Sequence, residues 1–181
     1  MNQKTRWITE TAIMLALLVT LQALTKGFGQ LVTGSCVNAV LAVTVLLAGL
    51  SSGITVAVIS PVLAFLLGIA PQILTVPAIM VGNTVFVIIL YFLAEKRERS
   101  LWMKIAAWLA AALAKFAALY VVVVKLICGV MAESLLAAGA LKAPMLKALP
   151  ATFSWPQLVT ALIGGAVALL IVPVLRKALR K

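Results

Sequence analysis

Six apolar stretches occupy most of this chain and constrain its fold more than any other feature. A helix needs about 20 mainly apolar residues to cross the roughly 30 Å hydrocarbon core of a bilayer. We therefore predict an all-α integral membrane protein, a single domain built as a bundle of six transmembrane helices. The predicted spans cover residues 8–24, 35–50, 54–67, 77–94, 101–127 and 155–175.

The composition leaves little room for anything outside the membrane. The 181 residues are 65% hydrophobic, with a mean hydropathy of +1.22, whereas soluble domains contain roughly 45–50% apolar residues. Six spans use about 120 residues and leave about 60 for all loops and both tails. No nucleotide-binding domain fits in that remainder, so any work driven by ATP would need a partner protein.

The acidic residues exclude most kinds of catalysis. They are Glu10, Glu95, Glu98 and Glu133, and the chain contains neither aspartate nor histidine. Catalytic triads, paired-carboxylate hydrolases, zinc proteases and di-iron bundles need residue types that are absent or too few here. The sequence therefore predicts a protein that is not an enzyme and that uses no metal or cofactor.

Lysines and arginines are distributed unevenly between the two sides of the predicted bundle. Short loops that face the cytoplasm carry an excess of these residues. With the N-terminus inside, ten of the 15 basic residues are cytoplasmic, while Lys115 and Lys125 fall within the fifth span. We therefore predict that both termini are cytoplasmic and attribute the net charge of +11 to topology, not to nucleic-acid binding. The cytoplasmic residues are Lys4, Arg6, Lys96, Arg97, Arg99, Lys104, Arg176, Lys177, Arg180 and Lys181, and the outer ones are Lys26, Lys142 and Lys147.

Polar side chains within the spans concentrate in the outer half of the predicted membrane. Asn38 lies near the outer end of the second span, Asn83 about two turns inside the fourth, and Gln157 opens the sixth beside Trp155. Lys115 lies roughly 20 Å from the cytoplasmic start of the fifth span, past the midplane. Because unpaired polar groups are costly in lipid, these side chains predict a polar cavity that opens to the outside.

Each of these residues also has a structural interpretation. Lys125 can extend to the outer headgroups, and Asn38 and Asn83 can join helices by hydrogen bonds. Lys115 is too deep to reach the headgroups easily and has no acid near it in sequence, so contact with a cavity or ligand is favoured. A cationic pocket prefers a small molecule with a carboxylate, a phosphate or an electron-rich carbonyl. The candidate binding residues are Asn38, Asn83, Lys115, Lys125, Trp155 and Gln157.

The longest predicted connection, residues 128–154, lies outside the membrane between the fifth and sixth spans. Its small-residue stretch at 135–140 indicates a short helix at the surface or dipping inward. Cys128 at its start and Cys36 both fall near outer ends of spans. The sequence leaves a disulfide between Cys36 and Cys128 as an alternative, and it favours the packing of both as small hydrophobic residues.

Several short motifs resemble those of a known family. Ala12 and Ala16 are spaced by four on the first helix, and a Gly/Ser turn at residues 49–53 joins the second and third spans. With these motifs, its length and its predicted topology, the chain resembles the substrate-binding S components of energy-coupling-factor (ECF) vitamin transporters over essentially its whole length. Further similar stretches are residues 34–38, Ser60-Pro61 and Gly82-Asn83.

The resemblance implies a bundle of the S-component type that captures a vitamin or other micronutrient at the outer face of a prokaryotic plasma membrane. Such a subunit would work with a transmembrane coupling protein and two cytoplasmic ATPases, and would topple in the membrane to release substrate inside. Ala12 and Ala16 would meet the coupling protein. Sequence patterns of the riboflavin, thiamine, biotin and folate members are not evident, so the resemblance names no substrate.

The resemblance also implies where the site would be. The loops Thr25–Thr33 and Gly68–Val76 would form the outer gate and lid. The outer halves of the last three spans would form the pocket wall and contribute Asn83, Lys115 and Gln157. A different class of function, a structural or assembly protein or a small pore, predicts no ligand and little effect of neutralising Lys115.

Overall fold

The bundle is helical throughout the part of the chain that the structure describes. A computed structural model describes residues 2–69, 72–94 and 100–179; the predicted solvated loop Glu95–Arg99 lies outside these ranges. The α-helices are α1 Gln3–Thr25, α2 Gln30–Ala48, α3 Leu50–Leu66, α4 Val76–Ala94, α5 Leu101–Leu119, α6 Ala132–Ala137, α7 Met145–Phe153 and α8 Trp155–Ala178. Single 3-10 turns at Lys26–Phe28 and Ile73–Thr75 precede α2 and α4, and a π-helical segment, Tyr120–Val130, continues α5.

Within the described ranges, five helical stretches are long and apolar enough to cross a membrane, namely Gln3–Phe28, Gln30–Ala48, Ile73–Ala94, Leu101–Val130 and Met145–Ala178. The remaining predicted span corresponds to α3, which is apolar but only 17 residues long, or roughly 25 Å by helical rise. The all-helical membrane fold is thus confirmed. The predicted number of six spans is close, with five helices of full length and one shorter helix.

Two predicted turns are longer than the observed ones. The sequence predicts a loop over residues 25–33, but α2 already begins at Gln30, after one 3-10 turn and one glycine. The predicted turn over 49–53 is reduced to Gly49, whose φ is 87°, and α3 begins at Leu50. Glycine adopts a positive φ without steric cost, so a single residue can form this corner.

Helix α2 lies at the centre of the bundle, where it packs against α1, α3, α4 and α8. Its residues Leu41 and Val45 are fully buried. Helix α8 comes very close at Gly164, where an added Cβ would lie 2.6 Å from both the Cβ of Asn38 and the carbonyl oxygen of Ser35. Small residues permit such close approach of helix backbones in membranes, so Gly164 sets the distance between α2 and α8.

The outer connection before α8 is more ordered than the sequence predicts. The π-helical segment extends to Val130, and two helices, α6 and α7, follow it. Leu149 and Phe153 of α7 are buried in a cluster with residues of α5 and the π-helical segment, so α7 closes the outer end of the bundle on one side. Cys36 and Cys128 are both free thiols, and no disulfide fixes this connection.

Helix α1 lies at the edge of the bundle. Thr11 and Leu18 are its buried residues, and the Thr11 hydroxyl donates a 2.8 Å hydrogen bond to the Ser52 hydroxyl of α3. Ala12 and Ala16 lie on the other side of the helix and are exposed. The face that carries the two alanines is therefore uncovered by the described helices.

Candidate functional site

A buried lysine lies where α2, α4 and α5 meet. The Lys115 side chain is only 2% exposed, and its Nζ donates to Asn38 Oδ1 at 2.5 Å and to Asn83 Oδ1 at 2.7 Å. The ammonium also lies 5.7 Å from the centroid of the Phe86 ring. Two amide oxygens and an aromatic face therefore hold a cation inside the bundle, and each reduces the cost of burying it.

Small residues beside the two asparagines bring their helices close enough for this arrangement. An added Cβ at Gly82 would lie 2.6 Å from Leu119, so this glycine lets α4 approach α5 and places Asn83 beside Lys115. On α2, an added Cβ at Gly34 would lie 2.9 Å from the Thr160 side chain of α8. Each asparagine thus lies shortly after a glycine at which its helix contacts a neighbouring helix: Asn83 one residue after Gly82, and Asn38 four residues after Gly34.

Asn38 has all its hydrogen-bonding groups occupied. Its Oδ1 accepts from Lys115, and its Nδ2 donates to the Gly34 carbonyl at 2.9 Å and to the Thr160 hydroxyl at 3.2 Å. The Thr160 hydroxyl in turn donates to the Gln157 carbonyl. Asn38 therefore connects the lysine of α5 to the first turns of α8.

Lys115 and both asparagines line a partly open cavity of about 260 Å³. Its walls come from α1, α2, the end of α3, α4, α5, α7, the first turn of α8 and the loop between α3 and α4. Among the residues that the structure describes, no acidic side chain lines it. The lining residues are Gln22, Gln30, Thr33, Gly34, Val37, Asn38, Ala64, Ile69, Gln72, Ile79, Asn83, Lys115, Ala148, Leu149, Thr152, Phe153 and Gln157.

Three buried polar atoms in this cavity have no hydrogen-bond partner, namely Asn83 Nδ2, Gln22 Oε1 and Gln72 Oε1. Buried polar groups in folded proteins are nearly always paired, and unpaired ones call for an explanation. The three side chains line a space large enough for a guest molecule, although these three atoms themselves have almost no accessible surface. These unpaired groups are complementary to a ligand that has both hydrogen-bond acceptors and donors.

The cavity lies at one end of the bundle. Its lining comes from the last turn of α1, the first turns of α2 and α8, the end of α3 and the outer half of α4, which is the end opposite the chain termini. Two connections meet at its mouth, because the Lys26 ammonium donates a 2.7 Å hydrogen bond to the Gly68 carbonyl. The predicted cytoplasmic location of the termini would place this end on the outer side.

The structure brings four of the six predicted binding residues to one cavity, namely Asn38, Asn83, Lys115 and Gln157. It does not bring Lys125 and Trp155 there. Lys125 is exposed, with its Nζ 5.8 Å from the Tyr120 ring. Trp155 is 69% exposed and stacks on Phe116. Both side chains thus point away from the cavity and contact aromatic neighbours on the outer surface of the bundle.

Sequence reasoning did not name five polar lining residues, Gln22, Gln30, Thr33, Gln72 and Thr152, as binding residues, and it missed one wall. Three of the five, Gln30, Thr33 and Gln72, fall within the loops predicted as gate and lid. Gln22 and Gln30 flank the connection from α1 to α2, Thr33 follows on α2, and Gln72 precedes α4. The missed wall is the inner face of α7. Its signal was present in the sequence: Leu149 and Phe153 are spaced by four, with Thr152 beside them, which is the spacing of one helix face.

This site can bind but offers little for catalysis. Histidine and aspartate are absent from the chain, and the described residues contain no group of three or more metal-ligating side chains. The lysine is engaged by two amide oxygens. What the cavity provides is one positive charge, amide groups and apolar walls.

Comparison with protein families identifies the chain. Residues 6–176 match the family described as ECF transporter, substrate-specific component. The chain belongs to this family. The match spans every residue that lines the cavity, so this S component carries its polar cavity within the family's own fold. Comparison with curated proteins and with solved structures gives no significant match.

Membership of the family agrees with the rest of the structure. The chain is a multi-pass membrane protein and a substrate-specific subunit of an ECF transporter. Substrate-specific components bind their substrate and do not catalyse a reaction, which accords with the residue composition of this site. A small-molecule substrate and partner subunits follow from the family in general terms.

Proposed function

We propose that this S component captures a small vitamin-like molecule from the outside in the cavity at Lys115. The observation that carries the proposal is the juxtaposition of the buried Lys115 ammonium with the unpartnered Nδ2 of Asn83 in a cavity of about 260 Å³. Desolvated donors that face a cavity favour a ligand, because a bound acceptor would satisfy both of them.

In this proposal the polar residues of the cavity have different tasks. Lys115 and Asn83 contact the substrate directly. Asn38 holds the lysine in position, and Gln157, whose amide donates to the Thr152 carbonyl, fixes the contact between α7 and α8 beside the cavity. The connections around Lys26 and Gly68 cover the mouth.

We further propose that a transmembrane coupling protein and two ATPases drive the import. Membership of the family implies partner subunits, a coupling protein and ATPases, as the source of energy. Ala12 and Ala16 form an exposed, flat face on α1, and small residues spaced by four let another helix approach closely. On this account the coupling protein docks there, and the subunit topples in a prokaryotic plasma membrane to release its substrate inside.

A thermal-shift screen of the purified full chain against vitamins and their precursors tests the proposal. A ligand that binds only the folded state raises its apparent stability by about 2.7 kcal/mol at 100 times the dissociation constant. We expect at least one compound to raise the melting temperature of the wild type and of Lys142→Met, an exposed outer lysine, but not of Lys115→Met.

Two results would contradict the proposal. One is a screen in which no compound stabilises the wild-type protein. The other is a compound that raises the melting temperatures of Lys115→Met and Lys142→Met equally, which would show that it does not bind at Lys115. The first result would favour the structural or assembly protein that the sequence leaves as the other class, whereas the second would place the binding site elsewhere in the chain.

A further inference from the structure

The inner end of the cavity presents hydrogen-bond donors. A lysine ammonium has three N–H groups, and the asparagines accept from two of them. Asn83 adds its buried Nδ2, which is without a partner. Asn38 adds none, because its amide group is occupied by Gly34 and Thr160. We refer to Lys115 Nζ and Asn83 Nδ2 as the donor pole.

Two glutamines that line the cavity nearer its mouth each have a buried acceptor oxygen without a partner. Gln22 lies in the last turn of α1 and Gln72 directly before the 3-10 turn that leads into α4, and the Oε1 atoms of both are buried without a partner. We refer to these two oxygens as the acceptor pole. Asn83 lies seven residues inside α4, so the donor pole is roughly 10 Å deeper than the start of that helix.

Apolar side chains line the space between the poles. Val37 and Ile79 come from α2 and α4, and Leu149 and Phe153 come from α7. A molecule that reaches from one pole to the other must therefore carry its polar groups at its two ends and an apolar portion between them. The two poles thus fix the direction of the ligand as well as its chemistry.

The charge of the donor pole selects among possible acceptors. A protonated Lys115 carries a positive charge that no carboxylate among the described lining residues neutralises. Charge-assisted hydrogen bonds are about twice as strong as neutral ones, so an anionic acceptor is favoured over a neutral carbonyl. A phosphate carries up to two negative charges and three acceptor oxygens, more than one ammonium and one amide can satisfy.

We infer that the substrate is a small monocarboxylate with hydroxyl or N–H donors at its opposite end, and that it enters the cavity with the carboxylate first. The carboxylate would accept from Lys115 Nζ and Asn83 Nδ2, and the distal donors would bind the oxygens of Gln22 and Gln72. This inference rests on the proposed function, because it specifies the ligand of the same cavity.

Matched pairs of probes test the inference on the wild-type full chain. In each pair the carboxylate is compared with a neutral analogue of nearly equal size: nicotinate with nicotinamide, biotin with biotinamide, and pantothenate with pantothenol. A series of 6-hydroxyhexanoate, hexanoate and 6-hydroxyhexanamide separates the two poles. We expect the best-binding carboxylate to bind at least about tenfold more tightly than its neutral partner, as expected for a buried charge contact.

Variants assign that preference to the two poles. Lys115→Met should reduce the ratio of the two affinities to about one, whereas Lys142→Met should keep it. Gln72→Ala should weaken the binding of 6-hydroxyhexanoate and leave that of hexanoate unchanged. If Lys115→Met does not fold, the preference of the wild type for one member of each pair still decides the question.

The outcomes separate this inference from the proposed function. A neutral compound that binds the wild type as tightly as its carboxylate partner, or in preference to all carboxylates, would overturn the inference and leave the proposed function standing. If neither these probes nor any compound of the wider screen bound, both would fail. A carboxylate preference that persists in Lys115→Met would also overturn the inference.

Discussion

Asn38 and Asn83 both accept a hydrogen bond from Lys115, but they stand in different surroundings. Asn38 joins three helices through its amide group and has no group left over for a ligand. Asn83 is 1% exposed and keeps a buried Nδ2 without a partner. An unpaired buried donor costs about 1–3 kcal/mol, a cost that a ligand accepting a hydrogen bond from Asn83 would offset.

This difference predicts that alanine substitutions at the two positions separate stability from affinity. Asn38→Ala should lower the melting temperature of the ligand-free protein more than Asn83→Ala, because it removes bonds to both α5 and α8. For each variant, the loss of binding free energy can be divided by the loss of melting temperature. This ratio should be larger for Asn83→Ala than for Asn38→Ala, because Asn83→Ala removes a direct contact with the ligand. Melting temperatures without ligand and dissociation constants of the same two variants measure this. Equal ratios in both variants would contradict the assigned roles.

The depth of residues along the helices allowed Lys115 and Asn83 to be predicted as site residues. Depth does not tell on which side of the helix a side chain lies. Lys115 and Lys125 both fall in the outer half of the fifth span, and the sequence makes both of them candidate binding residues. Ten residues at 3.6 per turn turn the side chain by about 280° in an α-helix, and the π-helical segment alters the turn further. Lys125 therefore lies on another face.

At the scale of helices, the contact between α2 and α8 holds the site together. Gly34 faces Thr160, and Gly164 faces the backbone of α2 at Ser35 and Ala39. The same two helices hold the hydrogen bond from Asn38 to Thr160. A change in their distance would therefore displace Asn38 and with it the lysine.

We predict that Gly164→Ala weakens both the fold and the site. The added Cβ would lie 2.6 Å from the Ala39 nitrogen and the Asn38 Cβ, and overpacking of this kind costs about 1–3 kcal/mol. The melting temperature should fall by about 5 °C, and ligand affinity should fall with it. Gly27→Ala is the matched control, because nothing lies within 4 Å of its added Cβ. Equal behaviour of the two variants would contradict the prediction.

The existence of the membrane-spanning helices was predictable from the sequence. The starts of α2 and α3 and the existence of α7 were not. Long apolar runs fix the spans because a backbone in lipid must pair its own polar groups. The segment from Gln30 to Gly34 looks like a loop by composition, yet it is helical because Gly34 serves a close contact with Thr160. Helix α7 spans nine residues and contains Pro150, and such a short amphipathic helix forms through tertiary packing.

On the scale of the whole molecule, the cavity and the proposed docking face are separated. The cavity lies at the end opposite the termini, whereas the uncovered face at Ala12 and Ala16 lies along the side of α1. The sequence predicted both positions, the first from the depth of polar residues and the second from the resemblance to S components. The polar residues of the mouth escaped prediction because loop glutamines look solvated in sequence.

This separation predicts that a bulky residue on the α1 face stops transport without affecting binding. Ala16→Leu should prevent helix packing against a coupling protein, because small residues are needed for close approach. We expect loss of copurification with that protein and at least about tenfold slower uptake into proteoliposomes containing the complete transporter. Substrate affinity of the isolated chain should stay the same. Ala106→Leu, at an exposed alanine of α5, is the control, and equal transport by both variants would contradict the proposed docking face.

The central claim is that the cavity at Lys115 is the substrate site. Isothermal titration calorimetry of the purified full chain, with the compound that stabilises it most, tests this directly. We predict one saturable site per chain in the wild type and in Lys142→Met. Lys115→Met should bind at least about 30-fold more weakly, since loss of a charged hydrogen bond costs about 2 kcal/mol. Binding of undiminished affinity to Lys115→Met would contradict the account.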